Sequence, residues 1–124
     1  LACVAALKTI ELIENGMMEN AATVGAYILD ALAEMQARHP SMGDVRGKGL
    51  MIGVELVKDK KTKEPAKKLR DALVHGCFER GLLSLGCGAS ATWCMPPLML
   101  PQKLADEALQ IFEDALTEAE QKYR

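Results

Sequence analysis

In the stretch Gly43-Asp44-Val45-Arg46-Gly47-Lys48-Gly49-Leu50-Met51-Ile52-Gly53-Val54-Glu55-Leu56, a polar lead punctuated by glycine gives way to an apolar alternation. That change decides the fold. Leu50, Ile52, Val54 and Leu56 recur every second residue with β-branched neighbours, which predicts a strand from Leu50 to Val57 with one well-buried face. Gly53 falls on the other face, where it either lets a neighbouring backbone or side chain come close or marks a bulge. The glycines of Gly47-Lys48-Gly49 precede a strand, whereas phosphate-binding glycine loops follow a strand and open a helix. A tight turn is the expectation there. Arg46 is expected to pair with Asp44 or to reach an interface.

Upstream, Met17, Ala21, Val24, Ile28, Leu32 and Met35 recur at helical spacing with charged residues opposite, until His39-Pro40 breaks the pattern. An earlier helix runs from the start to about Glu14 and stops at Asn15-Gly16, where glycine accepts a left-handed conformation at little steric cost. The chain opens on the apolar run Leu1-Ala2-Cys3-Val4-Ala5-Ala6-Leu7 with no initiator Met and no capping residue. This reads as a cut edge, with upstream residues removed by design or by proteolysis and an Ala-rich face meant to pack against protein not present.

Downstream, Lys58 to Glu64 is a charged connection. Pro65 opens a third helix carried by Leu69, Leu73, Cys77 and Phe78 and closed at Arg80-Gly81. Leu82 to Leu85 reads as a short buried strand, Gly86 to Ser90 as a flexible turn, and Ala91 to Met95 as a strand ended by Pro96-Pro97. The last helix starts at Pro101 and continues through Leu104, Ala108, Ile111, Phe112 and Ala115. The order α-α-β-α-β-β-α predicts an α+β domain, a small mostly antiparallel sheet covered by helices.

The balance of 15 Lys and Arg against 17 Asp and Glu, net charge -2, removes the simplest argument for nucleic acid or an anionic membrane as partner. No apolar run reaches a membrane span and no signal-type leader is present, so the chain reads as cytoplasmic. Cys3, Cys77, Cys87 and Cys94 lack metal or redox spacing and are expected to be free, buried thiols. The lysines from Lys58 to Lys68 have no aromatic residues interleaved and read as a solvated face. His75 has no nucleophile or carboxylate fixed near it, and Ser84, Ser90 and Thr92 lack a nucleophile-elbow context. Trp93, the single tryptophan, lies on a predicted strand after a glycine-rich turn, and reads either as a core or interface aromatic or as the wall of a ligand pocket.

The run Gly43 to Leu56, the opening helix, Glu79-Arg80-Gly81-Leu82-Leu83 and the strand end Pro96-Pro97-Leu98, taken in that order over essentially the whole chain, resemble the C-terminal part of class III, fold type I, pyridoxal-phosphate aminotransferases. That group includes 4-aminobutyrate, ornithine and acetylornithine aminotransferases. The resemblance implies that residues 1–124 form one C-terminal small domain, with 1–14 part of the interdomain helix, and that a large cofactor domain lies upstream. It implies transamination between an amino donor and a 2-oxo acid, with the cofactor as electron sink. A small domain closing over the substrate and a homodimer with shared active sites are implied as well. The Schiff-base lysine and most cofactor contacts would lie upstream, leaving this piece inactive alone. Many members carry Arg three residues before the Pro-Pro pair to hold a substrate carboxylate; here that position is Trp93, the one residue assigned to substrate binding. A racemase of the same cofactor family and a stand-alone α+β interaction module are the alternatives.

Overall fold

The computed structural model describes residues 1–123. Helix α1 (Ala2–Leu12) and helix α2 (Met18–Arg38) are joined by a wide turn in which Asn15 and Gly16 leave helical geometry, Gly16 at φ 112°. The hairpin β1 (Met42–Lys48) and β2 (Met51–Leu56) follows, then α3 (Lys67–Glu79), β3 (Leu85–Cys87), β4 (Ala91–Cys94) and α4 (Gln102–Tyr123). The four strands form an antiparallel sheet in the order β1-β2-β4-β3. The predicted α+β class and helix-covered antiparallel sheet are what the structure holds.

One face of the sheet makes the core. Ile52, Val54 and Leu56 of β2 are buried, as the alternation requires, against Val24, Ile28, Leu32 and Met35 of α2 and Leu69, Leu73 and Cys77 of α3. Helix α4 closes the layer through Ala105, Ala115, Leu116 and Ala119; the predicted Ala115 is among them and Ala108, Ile111 and Phe112 are partly buried, while Ala105 takes the place expected of Leu104. The small residues let α4 approach α3 closely, since a Cβ on Gly76 would lie 3.3 Å from that of Ala115. Leu104 is half exposed and Phe78, expected in the core, is 63% exposed.

The strand β1 was not expected. Its residues are too polar and too rich in glycine to show an alternation, and its conformation comes from pairing with β2. The expected tight turn is its hairpin loop: Lys48 pairs with Met51, and Gly49 at φ 57° occupies the first of two loop positions. The irregularity in the ladder falls between Met42 and Asp44, not at Gly53. At Gly43 a side chain would meet Val57 within 2.6 Å, whereas at Gly53 the nearest atoms it would meet among the described residues, its chain neighbours aside, are the Arg46 and Thr92 carbonyl oxygens at 4.0 Å.

The segment Leu82 to Leu85 is not a buried strand. Leu83 and Leu85 are exposed, and the strand is shifted to Leu85–Cys87, where it forms with β4 a hairpin in place of the flexible turn. Of the cysteines only Cys77 is buried; Cys3, Cys87 and Cys94 are exposed, the first two because α1 and the edge strand β3 have no second layer over them, Cys94 because it is the last residue of β4. Helix α1 buries none of its residues and exposes Val4, Leu7 and Ile10.

The end of α2 is tied to α4 by polar groups. Glu120 accepts from the Ser41 backbone N–H at 3.2 Å and from the Ser41 hydroxyl, and its other oxygen lies 2.8 Å from His39 Nδ1. Burial pushes the Glu120 carboxyl upward, but the bonds from Ser41 and His39 outweigh it and hold it below the usual carboxylate range. Arg38, bonded to Glu113 at 2.7 Å, holds that carboxyl low as well. A lowered folded value means that the stabilisation is complete above the ordinary glutamate value of 4.5 and is lost as the pH falls through the lowered one. Glu120→Gln is expected to cost about 1–3 kcal/mol at neutral pH, as charge-assisted bonds weaken, and the gap to wild type should close in acid. Urea titrations at pH 7 and pH 3 check this; a gap that stays constant with pH would refute the assignment.

Candidate functional site

Strand alternation places Thr92, 4% exposed, toward the core and Trp93, 40% exposed, on the open face of the sheet. Trp93 stands opposite Gly53 of β2 on one side and Leu85 of β3 on the other. Because Gly53 has no side chain and no close neighbour, a notch is left beside the indole. Beyond it lies Arg46, the partner of Gly53 on β1.

Arg46 is not free to receive an anion. It pairs with Asp44, as expected, and with Glu55 at 3.2 Å, and both carboxylates raise its already high pKa, Asp44 the more. The open face around Trp93 thus combines a large aromatic, an exposed Leu85 and a neutralised cation. Such a surface suits an apolar group better than a carboxylate.

Behind β4, on the core side, a cavity of about 480 Å³ opens between α2, α4 and the segments flanking β3 and β4. Ile28, Leu32, Thr92, Cys94, Leu104 and Phe112 contribute to its wall, which is mostly apolar. Burial pushes the Cys77 thiol up, and the wall of this cavity does the same for the Cys94 thiol, although that residue keeps contact with solvent; both are the opposite of an activated nucleophile. His75, for which no carboxylate partner was expected, makes an exposed pair with Glu79, one helical turn on, at 3.3 Å. Every lysine is exposed; Lys58 pairs with Glu64, and Lys60 and Lys63 reach the backbone carbonyls of Gln36 and Gly43 at 2.6 and 2.7 Å. Among the described residues no three His, Cys, Asp or Glu are grouped to hold a metal, and no helix is long and apolar enough to cross a membrane.

Sequence reasoning missed Arg70. It is 7% exposed, its Nε donates to Asp71 at 2.7 Å, and its Nη1 donates to the carbonyls of Cys87 at 3.3 Å and Ala91 at 3.2 Å. Its place on the stripe Arg70, Leu73, Cys77 was the available signal: an arginine in a core register, with the glycine pair Gly86 and Gly88 downstream.

A two-layer α+β module with an open sheet face of this kind defines a class of building block, not an activity, and comparison with known proteins supplies the family. The model described as "Aminotransferase class-III" matches residues 1–116. Isoleucine 2-epimerase of Lentilactobacillus buchneri is 42% identical over 94% of this chain and 26% of its own length. A Bacillus anthracis aminotransferase superposes with a TM-score of 0.90 at 35% identity, over 94% of this chain and 28% of that one. A pyridoxal-phosphate-bound amine transaminase from an uncultivated Pseudomonas species superposes with a TM-score of 0.88 at 33% identity, over 95% and 27%. The chain belongs to the class III aminotransferase family and spans about a quarter of the length of these relatives.

The family and its cofactor-bound member imply pyridoxal phosphate. The described residues do not fit that group. No lysine is buried where an aldehyde could meet it, and the cavity behind β4 is mostly apolar and so unsuited to a phosphate.

Proposed function

We propose that the intact subunit is a pyridoxal-phosphate-dependent aminotransferase passing an amino group from an amino acid or amine to a 2-oxo acid. Residues 1–124 are then its C-terminal small domain, with 1–14 part of the interdomain helix, and Trp93 meets the substrate. The observation that carries this reading is the aromatic beside an empty notch on the open face of the family's sheet, with the neighbouring Arg46 already neutralised. The substrate group that meets Trp93 is accordingly apolar, and a 4-aminobutyrate-type donor finds no free cation there among the described residues. The enzyme works as a cytoplasmic homodimer, and the cofactor is held by residues outside this chain.

A racemase is the second reading, favoured by the 42% identity to isoleucine 2-epimerase. The full-length enzyme, loaded with cofactor and given one amino-acid enantiomer in deuterated water, separates the two. An aminotransferase produces a new amino acid only when a 2-oxo acid is added; a racemase exchanges the α-proton and loses optical activity without one. Neither result would favour an interaction module. The 124-residue chain alone is expected to be inactive: borohydride reduction after incubation with pyridoxal phosphate should label surface lysines slowly and diffusely. One stoichiometrically labelled lysine would contradict this assignment of the cofactor site.

A further inference from the structure

The hairpin that carries Trp93 has an unusual support. β3 is an edge strand of three exposed residues, and short edges are held weakly by their own ladder. Beneath it, one nitrogen of Arg70 bonds the carbonyls of Cys87 and Ala91, which are each other's partners across the hairpin. The guanidinium fits only because Gly86 has no side chain: a Cβ there would lie 2.8 Å from Nη1 and 2.9 Å from Cζ. Replacing a buried charge with a well-packed apolar residue is often neutral or favourable for stability. A bonded guanidinium offers what an apolar residue cannot, a fixed angle for two particular carbonyls. Those carbonyls lie two residues from Trp93 on β4 and two residues from its neighbour Leu85 on β3.

We propose that Arg70 is a positioning residue that sets the orientation of the β3–β4 hairpin and, through it, the angle at which Trp93 and Leu85 meet the substrate. This rests on the reading of Trp93 given above. Arg70 touches no substrate itself. Its effect should therefore fall on discrimination between substrates that reach Trp93 and those too small to do so.

The test uses the full-length holoenzyme with Arg70→Met, Arg70→Lys, Trp93→Ala and the Arg70→Met/Trp93→Ala double variant. Each is assayed by kcat/KM on a large apolar amine and on a small one, with hydrogen exchange of residues 85–94 measured in parallel. Arg70→Met should lower the large-to-small ratio about tenfold, misplacement of a positioning surface being costly, and should speed exchange in the hairpin. Arg70→Lys should restore part of both. In the Trp93→Ala background the Arg70→Met effect should shrink to less than about twofold, as expected for residues acting as a unit. Unchanged hairpin exchange in folded Arg70→Met, or equal loss on both substrates, would overturn the proposal while leaving Trp93 as a substrate contact. If Trp93→Ala itself leaves the ratio unchanged, the reading of Trp93 fails and the proposal falls with it.

Discussion

Gly25→Ala should lower the stability of the folded protein by about 3 kcal/mol or more, the upper end of what added volume does in a packed interior. A methyl group on Gly25 would lie 2.8 Å from the Cα of Gly49 and closer still to its carbonyl carbon and oxygen. Neither side can give cheaply. Helix α2 is anchored on either side of Gly25 by buried Val24 and Ile28, and the Gly49 turn is fixed by its left-handed geometry and the Lys48–Met51 pair. The sign runs against helix propensity, which favours Ala over Gly by about 1 kcal/mol. Urea midpoints of the full-length protein and the variant, with equal slopes, measure the effect. A variant as stable as wild type would show that α2 does not press on the hairpin.

That contact also shows what the sequence could and could not say. The buried face of β2 and the stripe of α2 were legible, because periodic burial writes itself into residue type. The glycine turn at Gly49 was legible for the same reason that it is conformationally special. β1 was not, since a strand made by its partner need not show its own pattern, and Arg46 and Lys48 face solvent from it. The cysteines misled because apolar neighbours in sequence do not guarantee a second layer in space. Trp93 was singled out by its position before Pro96-Pro97, and the structure adds the notch at Gly53 and the neutralised Arg46. Arg70 was passed over because a charged residue in a helix is ordinarily solvated, and only the space above Gly86 explains why this one is not.

In the full-length enzyme, Trp93→Arg should raise the ratio of kcat/KM for a carboxylate-bearing amine over its uncharged analogue by about tenfold or more. An indole offers one donor and no charge, whereas a guanidinium offers a planar fork, and each hydrogen bond to a charged group contributes about 1.5–3 kcal/mol. Two effects oppose the gain. Losing the indole uncovers Gly53 and Leu85, and the new cation can be captured by Glu55, half exposed on the same face. Adding Glu55→Gln should therefore enlarge the shift. An unchanged ratio in both folded variants would return Trp93 to the role of a packing or interface aromatic.

The charged connection between β2 and α3 closes on itself. Lys58 N–H bonds the Glu64 carbonyl at 2.8 Å, Val57 bridges to Pro65, and Asp59 caps the turn by accepting from the N–H groups of Lys61 and Thr62. Its two ends are held together by the body of the fold, so the chain between them is a bracket whose contents carry little of the architecture. Each doubling of such a loop costs only about 0.6 kcal/mol in closure entropy. Length at this point is therefore close to neutral currency for evolution or engineering, a natural place for an insert, whereas the same insert in the Gly49 turn would push apart the helix and hairpin that meet there.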